Sequence, residues 1–179
     1  MKCWLLLKRA CASAVLMASV ALVQAEDYLS GEQFLASAFT DASPEQKTLW
    51  ITNDIRQRAQ DSIGVVPSSL RMRYWSNGVR TAWVLEQIGK EQPITLGIVI
   101  EAEHIVDVRV MSFRESRGGE IRYPFFTAQY QGVALSDGRT LSRDVDGITG
   151  ATLSVKAVNR AARLALWLNA QALASVATR

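Results

Sequence analysis

Cysteine and histidine are almost absent from this chain. Of its 179 residues, two are cysteine and one is histidine, and both cysteines, Cys3 and Cys11, lie within the first 25 residues. Beyond those 25 residues there is no disulfide, no thiolate nucleophile, no cysteine-ligated metal and no Cys-x-x-Cys-His haem attachment. A catalytic triad or a zinc site would have to use His104 alone, and we interpret His104 as part of a solvent-exposed turn between two strands.

Motifs of the common nucleotide-dependent and hydrolytic enzymes are missing too. The chain has no Gly-x-Ser-x-Gly elbow, no Gly-x-x-x-x-Gly-Lys-Ser/Thr loop and no Gly-x-Gly-x-x-Gly fingerprint. These absences argue against a serine hydrolase of that type, a P-loop NTPase and a Rossmann dinucleotide site. They favour a binding or carrier protein over an independent catalyst.

The first 25 residues are typical of a secretory signal peptide. Lys2, Lys8 and Arg9 form a basic start, residues 10–23 are an uncharged apolar run, and Val23-Gln24-Ala25 has the small residues of a cleavage site. The apolar run is short for a membrane span, and an uncleaved N-terminal anchor is the alternative. We therefore expect an exported, periplasmic protein.

The formal net charge of +3 belongs to this leader. It contains three of the 20 Lys and Arg residues and none of the 17 Asp and Glu residues, so the remaining 154 residues carry 17 charges of each sign. A formally neutral domain gives no reason to expect a nucleic-acid partner. A chain of that length can bury its own core without covalent cross-links.

Apolar periodicity predicts a single α+β domain with a helical N-terminal segment over residues 26–69. We expect a short helix near residues 32–39. A longer helix is predicted to begin at Ser43-Pro44-Glu45-Gln46, which has the form of a capping box with proline at the first helical position, and to end at Gly64.

Residues 70–179 are predicted to form an antiparallel β-meander packed with helices. Strands are expected at 70–76, 79–87, 94–101 and 105–113, with Asn77-Gly78 as a two-residue hairpin turn. A loop over 114–120, a short helix near 125–131 and a turn at Asp137-Gly138 follow. A long amphipathic helix is predicted from Leu153 towards the C-terminus. Tyr74, Trp75, Trp83 and Trp167 are expected to pack in the core or on a sheet face.

The segment before that last helix, residues 146–154, reads Asp-Gly-Ile-Thr-Gly-Ala-Thr-Leu-Ser. A glycine turn followed by Thr152 or Ser154 as helix N-cap accounts for its composition, and spacing alone favours this explanation. Alternatively, an anion bound here would meet free backbone N–H groups and the positive end of the helix dipole.

The order of these residues is more specific than capping requires. Asp146, Thr149, Gly150, Ala151 and Thr152 fill every defined position of the pattern Asp-x-x-Ser/Thr-Gly-Ala-Thr/Ser. The segment thereby resembles the flavinylation motif of the FMN-binding domain family, which includes the covalent-flavin subunits of sodium-pumping NADH:quinone reductases and Rnf-type complexes and many small exported proteins. The resemblance extends over residues 78–165, so we interpret 70–179 as the FMN-binding domain.

Two further segments contribute to the resemblance. Phe126, Gln129 and Gly132 fit a Phe-x-x-Gln-x-x-Gly pattern, and Arg-Glu-Ser-Arg-Gly at 114–118 resembles the family's Glu-Ser/Thr-x-Gly loop. This loop departs from the reductase subunits, which usually have Pro-Gly where the present chain has Arg-Gly-Gly.

The same loop has two explanations. It is either a solvated glycine turn or a polar wall of the flavin site. In the second case Ser116 and the backbone N–H groups of Gly118 and Gly119 would lie near the isoalloxazine ring or the ribityl chain.

The resemblance implies that Thr152 carries FMN through a phosphoester, added by an exported FAD:protein FMN transferase in a magnesium-dependent reaction. Asp146 would serve recognition or activation during that transfer, and Thr149 would hydrogen-bond the phosphate. Gly150 and Ala151 would allow close approach.

The implied function is electron transfer with membrane-bound or periplasmic redox partners, without catalytic residues or a metal site in this chain. The alternatives are a noncovalent FMN-binding or sensory module and an assembly factor of a membrane redox complex.

Overall fold

Six antiparallel strands form the centre of the molecule, in a computed structural model that describes residues 26–40 and 43–177. The strands are β1 (Glu26–Asp27), β2 (Glu45–Trp50), β3 (Arg71–Ser76), β4 (Arg80–Ile88), β5 (Pro93–Glu101) and β6 (His104–Phe113). Their order across the sheet is β1-β6-β5-β4-β3-β2. The predicted signal peptide, with both cysteines, lies outside the described residues and stays a prediction.

Strands β3 to β6 confirm the predicted meander, since strands adjacent in sequence are also adjacent in the sheet. The turn between β3 and β4 differs from the prediction. It contains three residues, 77–79, and only Gly78 has a positive φ, of 91°. Asn77 instead uses its side-chain oxygen, which accepts hydrogen bonds from the N–H groups of Val79 and Arg80 at 3.0 and 2.7 Å. This Asx-type bonding closes the turn without a left-handed asparagine.

The turn between β5 and β6 confirms the interpretation of the lone histidine. Ala102 and Glu103 both have left-handed backbones, with φ of 46° and 66°, and His104 follows them with its side chain exposed. Its Nδ1 lies 2.7 Å from the carbonyl oxygen of Ala102. The imidazole therefore lies at the surface, against the backbone of the turn.

In the described part of the chain, four α-helices accompany the sheet: α1 (Gly31–Ala38), α2 (Asn53–Ile63), α3 (Pro124–Thr127) and α4 (Thr152–Ala177). Short 3-10 turns at Gly119–Arg122 and Ala128–Tyr130 flank α3, as expected for the region near 125–131. A small hairpin of β7 (Leu135–Ser136) and β8 (Thr140–Leu141) turns at Asp137 and Gly138, both left-handed. These elements confirm the α+β fold class and the long C-terminal helix.

The predicted helix start at Ser43 is wrong. Residues 45–50 form strand β2, which pairs with β3 along its whole length, and α2 begins only at Asn53. Thr52 is the N-cap, and its hydroxyl accepts a hydrogen bond from the N–H of Ile55 at 3.2 Å. Pairing with β3 satisfies the backbone of β2 and buries Leu49, so tertiary contacts outweigh the local capping signal. The end of α2 at a left-handed Gly64 is as predicted.

The two faces of the sheet are covered unequally. The larger core lies between the sheet, α2, the region 119–133 and α4, and includes fully buried Trp83, Phe126 and Leu168. The smaller core is formed where α1 contributes Phe34 and Ala38 to the opposite face. Because both faces are covered, the central strands carry long apolar runs.

The aromatic residues of the strands and of α4 pack as predicted. The rings of Tyr74 and Trp83 are stacked with centroids 4.7 Å apart, and both are buried with Trp167 in the larger core. Trp75 is half-buried against the smaller core.

Candidate functional site

The glycine-rich segment forms an exposed turn that leads directly into α4. Gly150 is left-handed, with φ of 85°, and Ala151 is buried. The Ala151 N–H donates to the carbonyl oxygen of Ile148, and its own carbonyl accepts from the N–H of Val155, each at 2.9 Å. The turn thus fixes the direction in which the helix starts.

The hydroxyl side chains of the segment are placed in two different environments. Thr149 and Thr152 are exposed, whereas Ser154 is 4% exposed. Because α4 begins at Thr152, both Thr152 and Ser154 lie inside its first turn, and the residue that precedes the helix is Ala151. The prediction that Thr152 or Ser154 acts as N-cap is therefore wrong. Alanine has no side-chain acceptor to offer the first N–H groups of a 26-residue helix.

Gly118 brings the loop of residues 114–120 into contact with this segment. It is buried and left-handed, with φ of 88°. A Cβ atom added at Gly118 would lie 2.7 Å from Ser154 Oγ and 3.3 Å from Ala151 Cβ. The loop and the motif segment are therefore packed against each other, as the second explanation of the loop requires, and a side chain at position 118 would separate them.

Glu115 anchors the same loop to the turn between β4 and β5. Its Oε1 accepts hydrogen bonds from the N–H groups of Lys90, Glu91 and Gln92. Burial alone would raise the pKa of this carboxyl, but the three backbone N–H donors, together with the charge of Lys90, outweigh it and hold the pKa below its ordinary value. Glu115 was predicted only as part of the loop pattern, because its hydrogen bonds reach a turn more than 20 residues away in sequence.

Ser116 is exposed and Gly119 is half-buried. A Cβ atom at Gly119 would lie 3.4 Å from Nη1 of Arg122. The loop is consequently neither wholly solvated nor wholly enclosed: Gly118 and Glu115 hold it in place, and Ser116 faces solvent.

Gln129 connects the Phe-x-x-Gln-x-x-Gly segment to the motif. Its Oε1 accepts a hydrogen bond from the backbone N–H of Asp146 at 2.8 Å, while Phe126 is fully buried. Gly132 donates its N–H to the carbonyl oxygen of Ile105 at 2.8 Å, which ties the end of this segment to β6.

An open cavity of about 420 Å³ lies beside Asp146. The side chain of Asp146 is exposed there, and the remaining lining residues are Phe125, Ala128, Gln129, Arg143 and Asp144. Phe125 and Arg143 were not predicted as site residues, because neither belongs to the motif. The sequence shows only that an aromatic residue adjoins the Phe-x-x-Gln-x-x-Gly segment and that an arginine lies shortly before the motif.

Cations surround the first turns of α4. A second open cavity, of about 360 Å³, is lined by Arg143, Lys156, Arg160 and Arg163, with Asp144 as its acidic residue. Arg160 and Arg163 donate to the backbone carbonyls of Ile88 and Ile63 and form no ion pair within the described residues. The helix start and these side chains together make the site favourable for an anionic group.

A phosphorylated flavin fits this donor set. Exposed hydroxyls and uncapped N–H groups are available for a phosphate, and an apolar ring borders the adjoining cavity. Within residues 26–40 and 43–177 no group of three His, Cys, Asp or Glu side chains is arranged to hold a metal ion. No helix in this part of the chain is long and apolar enough to cross a membrane.

Comparison with known proteins agrees with the geometry. No curated protein matches the chain significantly. Residues 89–167 match the family model described as FMN-binding domain, a stretch that includes the Glu115 loop, the Gln129 segment, the motif and the first half of α4. The match begins at Gly89, inside the range of the resemblance and later than its start at Gly78. Residues 89–167 thus match the FMN-binding domain family, and the match supports a flavin-binding role for this part of the chain.

Proposed function

We propose that the protein carries FMN covalently, in a phosphoester to the hydroxyl of Thr152, and transfers electrons in the periplasm or at the outer face of the membrane. The observation that carries the proposal is an exposed threonine at the first residue of α4, within a complete copy of the flavinylation motif and inside the stretch that matches an FMN-binding domain.

The attachment chemistry requires an accessible hydroxyl and a separate enzyme. Thr152 Oγ1 forms the new P–O bond, the P–O–P bond of FAD breaks, AMP leaves, and the hydroxyl proton is lost. An alcohol is a weak nucleophile, so an exported FAD:protein FMN transferase with magnesium supplies the activation. Exposure of Thr152 supports this route, because a second protein must reach the oxygen.

The neighbouring residues support a phosphodiester at this position. It keeps one negative charge, which the N-terminus of α4 stabilises by about 0.3 to 1 kcal/mol. Lys156, one helical turn later, is exposed on the same face of the helix as Thr152, because residues four apart are neighbours on a helix surface. Thr149 offers a second exposed hydroxyl, and Asp146 lies exposed for recognition by the transferase.

Electron transfer follows from the cofactor. FMN supplies the redox chemistry when bound, and the protein binds, orients and shields it. Covalent attachment suits an exported carrier, because FMN lost outside the cytoplasm is not readily replaced. The donor and the acceptor are then membrane-bound or periplasmic redox partners.

The test is the intact mass of the full chain after co-expression with the flavin transferase. We expect the mass of the chain cleaved after Ala25 plus one phosphoester-linked FMN, and a fluorescent band that survives boiling in detergent. Thr152→Val should abolish both signals, whereas Thr152→Ser should keep them, because serine also fits the last motif position. A Thr152→Val protein that still carries covalent FMN would refute the attachment site.

The same experiment separates the alternatives. A yellow protein whose flavin is released by denaturation would indicate a noncovalent module, and a colourless folded protein would indicate an assembly factor. Fractionation of the unsubstituted protein tests export, since an uncleaved mass in the membrane fraction would indicate an N-terminal anchor.

A further inference from the structure

Two large aromatic side chains are exposed beside the motif. Phe125 is 63% exposed and Tyr123 is 44% exposed, whereas the adjacent Phe126 is fully buried. The rings of Tyr123 and Phe125 are stacked, with centroids 6.2 Å apart and planes 25° from parallel. Exposed apolar rings that lie together usually mark a contact surface.

The position of Tyr123 is fixed by a cation between two rings. The guanidinium of Arg122 lies 4.7 Å from the Tyr123 ring centroid and 4.8 Å from that of Tyr28. Its Nη1 donates to the hydroxyl of Tyr28 at 2.9 Å, and its Nη2 donates to the hydroxyl of Tyr123 at 2.8 Å. Tyr28, Arg122, Tyr123 and Phe125 therefore form a continuous stack, which we call the aromatic ladder. Its outer ring, Phe125, is already positioned before any ligand binds.

The ladder runs between the two parts of the flavin site. Arg122 borders Gly119 of the loop, since a Cβ atom there would lie 3.4 Å from its Nη1. At the other end, Phe125 lines the cavity of about 420 Å³ that also contains Asp146, the first motif residue. This volume is within the range of about 300 to 1,000 Å³ that small-molecule sites occupy.

We infer that Phe125, supported by the stacked Tyr123 ring, forms the stacking surface for the isoalloxazine ring of FMN. The inference rests on the proposed attachment at Thr152, which belongs to the same motif as Asp146, a lining residue of the cavity that Phe125 borders. A flavin ring gains from an aromatic face that is held rigidly, because little side-chain entropy is lost on binding. The loop that contains Ser116 and Gly119 then borders the edge of the isoalloxazine ring, while the aromatic ladder contacts the face of that ring.

The test uses the flavinylated full chain with Phe125→Trp and Phe125→Ala. Indole in contact with a flavin quenches its fluorescence by electron transfer, so Phe125→Trp should lower the fluorescence per bound FMN several-fold. Phe125→Ala should lower the fluorescence anisotropy of the flavin, because the ring loses its support.

A matched control is Val79→Trp. Val79 is 68% exposed and lies in the β3–β4 turn, at the end of the sheet opposite the Glu115 loop. This variant should leave both signals unchanged. Loading is measured independently by intact mass, so an unsubstituted chain without FMN refutes the proposed function rather than the stacking surface.

Loaded Phe125→Trp protein with the fluorescence and anisotropy of the unsubstituted protein would overturn the inference. If Phe125→Trp folds without taking up flavin, Phe125→Leu replaces it, since leucine keeps the apolar bulk and removes the ring. Unchanged anisotropy in loaded Phe125→Leu protein would overturn the inference equally.

Discussion

The loop around Glu115 and the turn before α4 form two sides of one site, yet they are held in very different ways. In the loop, one carboxylate accepts three backbone hydrogen bonds, and Gly118 is buried against Ala151 and Ser154. In the turn, the hydroxyls of Thr149 and Thr152 are exposed. The difference indicates that one side fixes the shape of the site, while the other stays accessible, as the proposed modification by a flavin transferase requires.

The largest effect on stability is expected from Gly118→Ala. The substitution forces alanine into a left-handed backbone and places its Cβ 2.7 Å from Ser154 Oγ. Strain and overpacking together should lower the free energy of unfolding by about 2 to 4 kcal/mol, measured by urea denaturation.

Gly150→Ala is the matched control for Gly118→Ala. Its φ of 85° is nearly the same, but no heavy atom lies within 4 Å of the added Cβ. Only the strain of a left-handed alanine backbone remains, so we expect the free energy of unfolding to fall by about 1 to 2 kcal/mol. If both substitutions lowered the free energy of unfolding equally, the close approach of Gly118 to Ser154 would add nothing to the cost of the alanine side chain.

Glu115→Gln should have the next largest effect. The amide oxygen can still accept hydrogen bonds, but it lacks the charge that strengthens them, and partial exposure of the carboxyl screens the difference. We expect a loss of about 1 to 2 kcal/mol at neutral pH, measured by the same denaturation.

The loss caused by Glu115→Gln should depend on pH with a definite sign. Because the folded carboxyl has a pKa below its ordinary value of 4.5, its contribution is fully present above that value and disappears as the pH falls through the folded pKa. The stability difference between the two proteins should therefore shrink in acid. A difference that grows in acid would contradict the anchoring role of Glu115.

A smaller effect, confined to the flavinylated protein, is expected from Lys156→Gln. Lys156 lies one helical turn from Thr152, where its ammonium group can attract the phosphodiester, and within the described residues it forms no ion pair in the unmodified protein. The melting temperature of loaded protein should fall slightly at low salt and not at high salt. Unloaded protein serves as the control, and an equal change in both forms would exclude an interaction with the phosphate.

The smallest effect on stability belongs to Thr152→Val. The side chain is exposed in the first turn of α4, and valine keeps the β-branched shape, so unfolding of the unloaded protein should change by no more than about 0.5 kcal/mol. Loss of all covalent flavin without loss of stability would separate attachment from folding. A strongly destabilised variant would instead assign Thr152 a structural role.

Sequence patterns predicted those parts of the fold whose signals are local and mutually consistent. The apolar runs of β5 and β6 and the amphipathic face of α4 lie where they were expected. The capping signal at Ser43 failed because β2 gains more from pairing with β3, a partner distant in sequence. Local propensity carries no information on such pairing.

The site was predictable only in part for the same reason. The motif and the family loop were identified by residue order, but the contact of Gly118 with Ser154 depends on how the chain folds back between them. The aromatic ladder likewise joins Tyr28 to Arg122 across the edge of the sheet. Neither contact has a spacing that a sequence pattern can record.

Strand β1 contains only two residues, yet its register fixes where the chain enters the domain. Glu26 lies opposite Phe113, which ends β6 immediately before the loop of Glu115. The described domain therefore begins at the end of the sheet that bears this loop. If the proposed flavin is bound at this end, a retained leader would tether it on the membrane side of the domain, and a cleaved leader would leave it free to meet partners in the surrounding space.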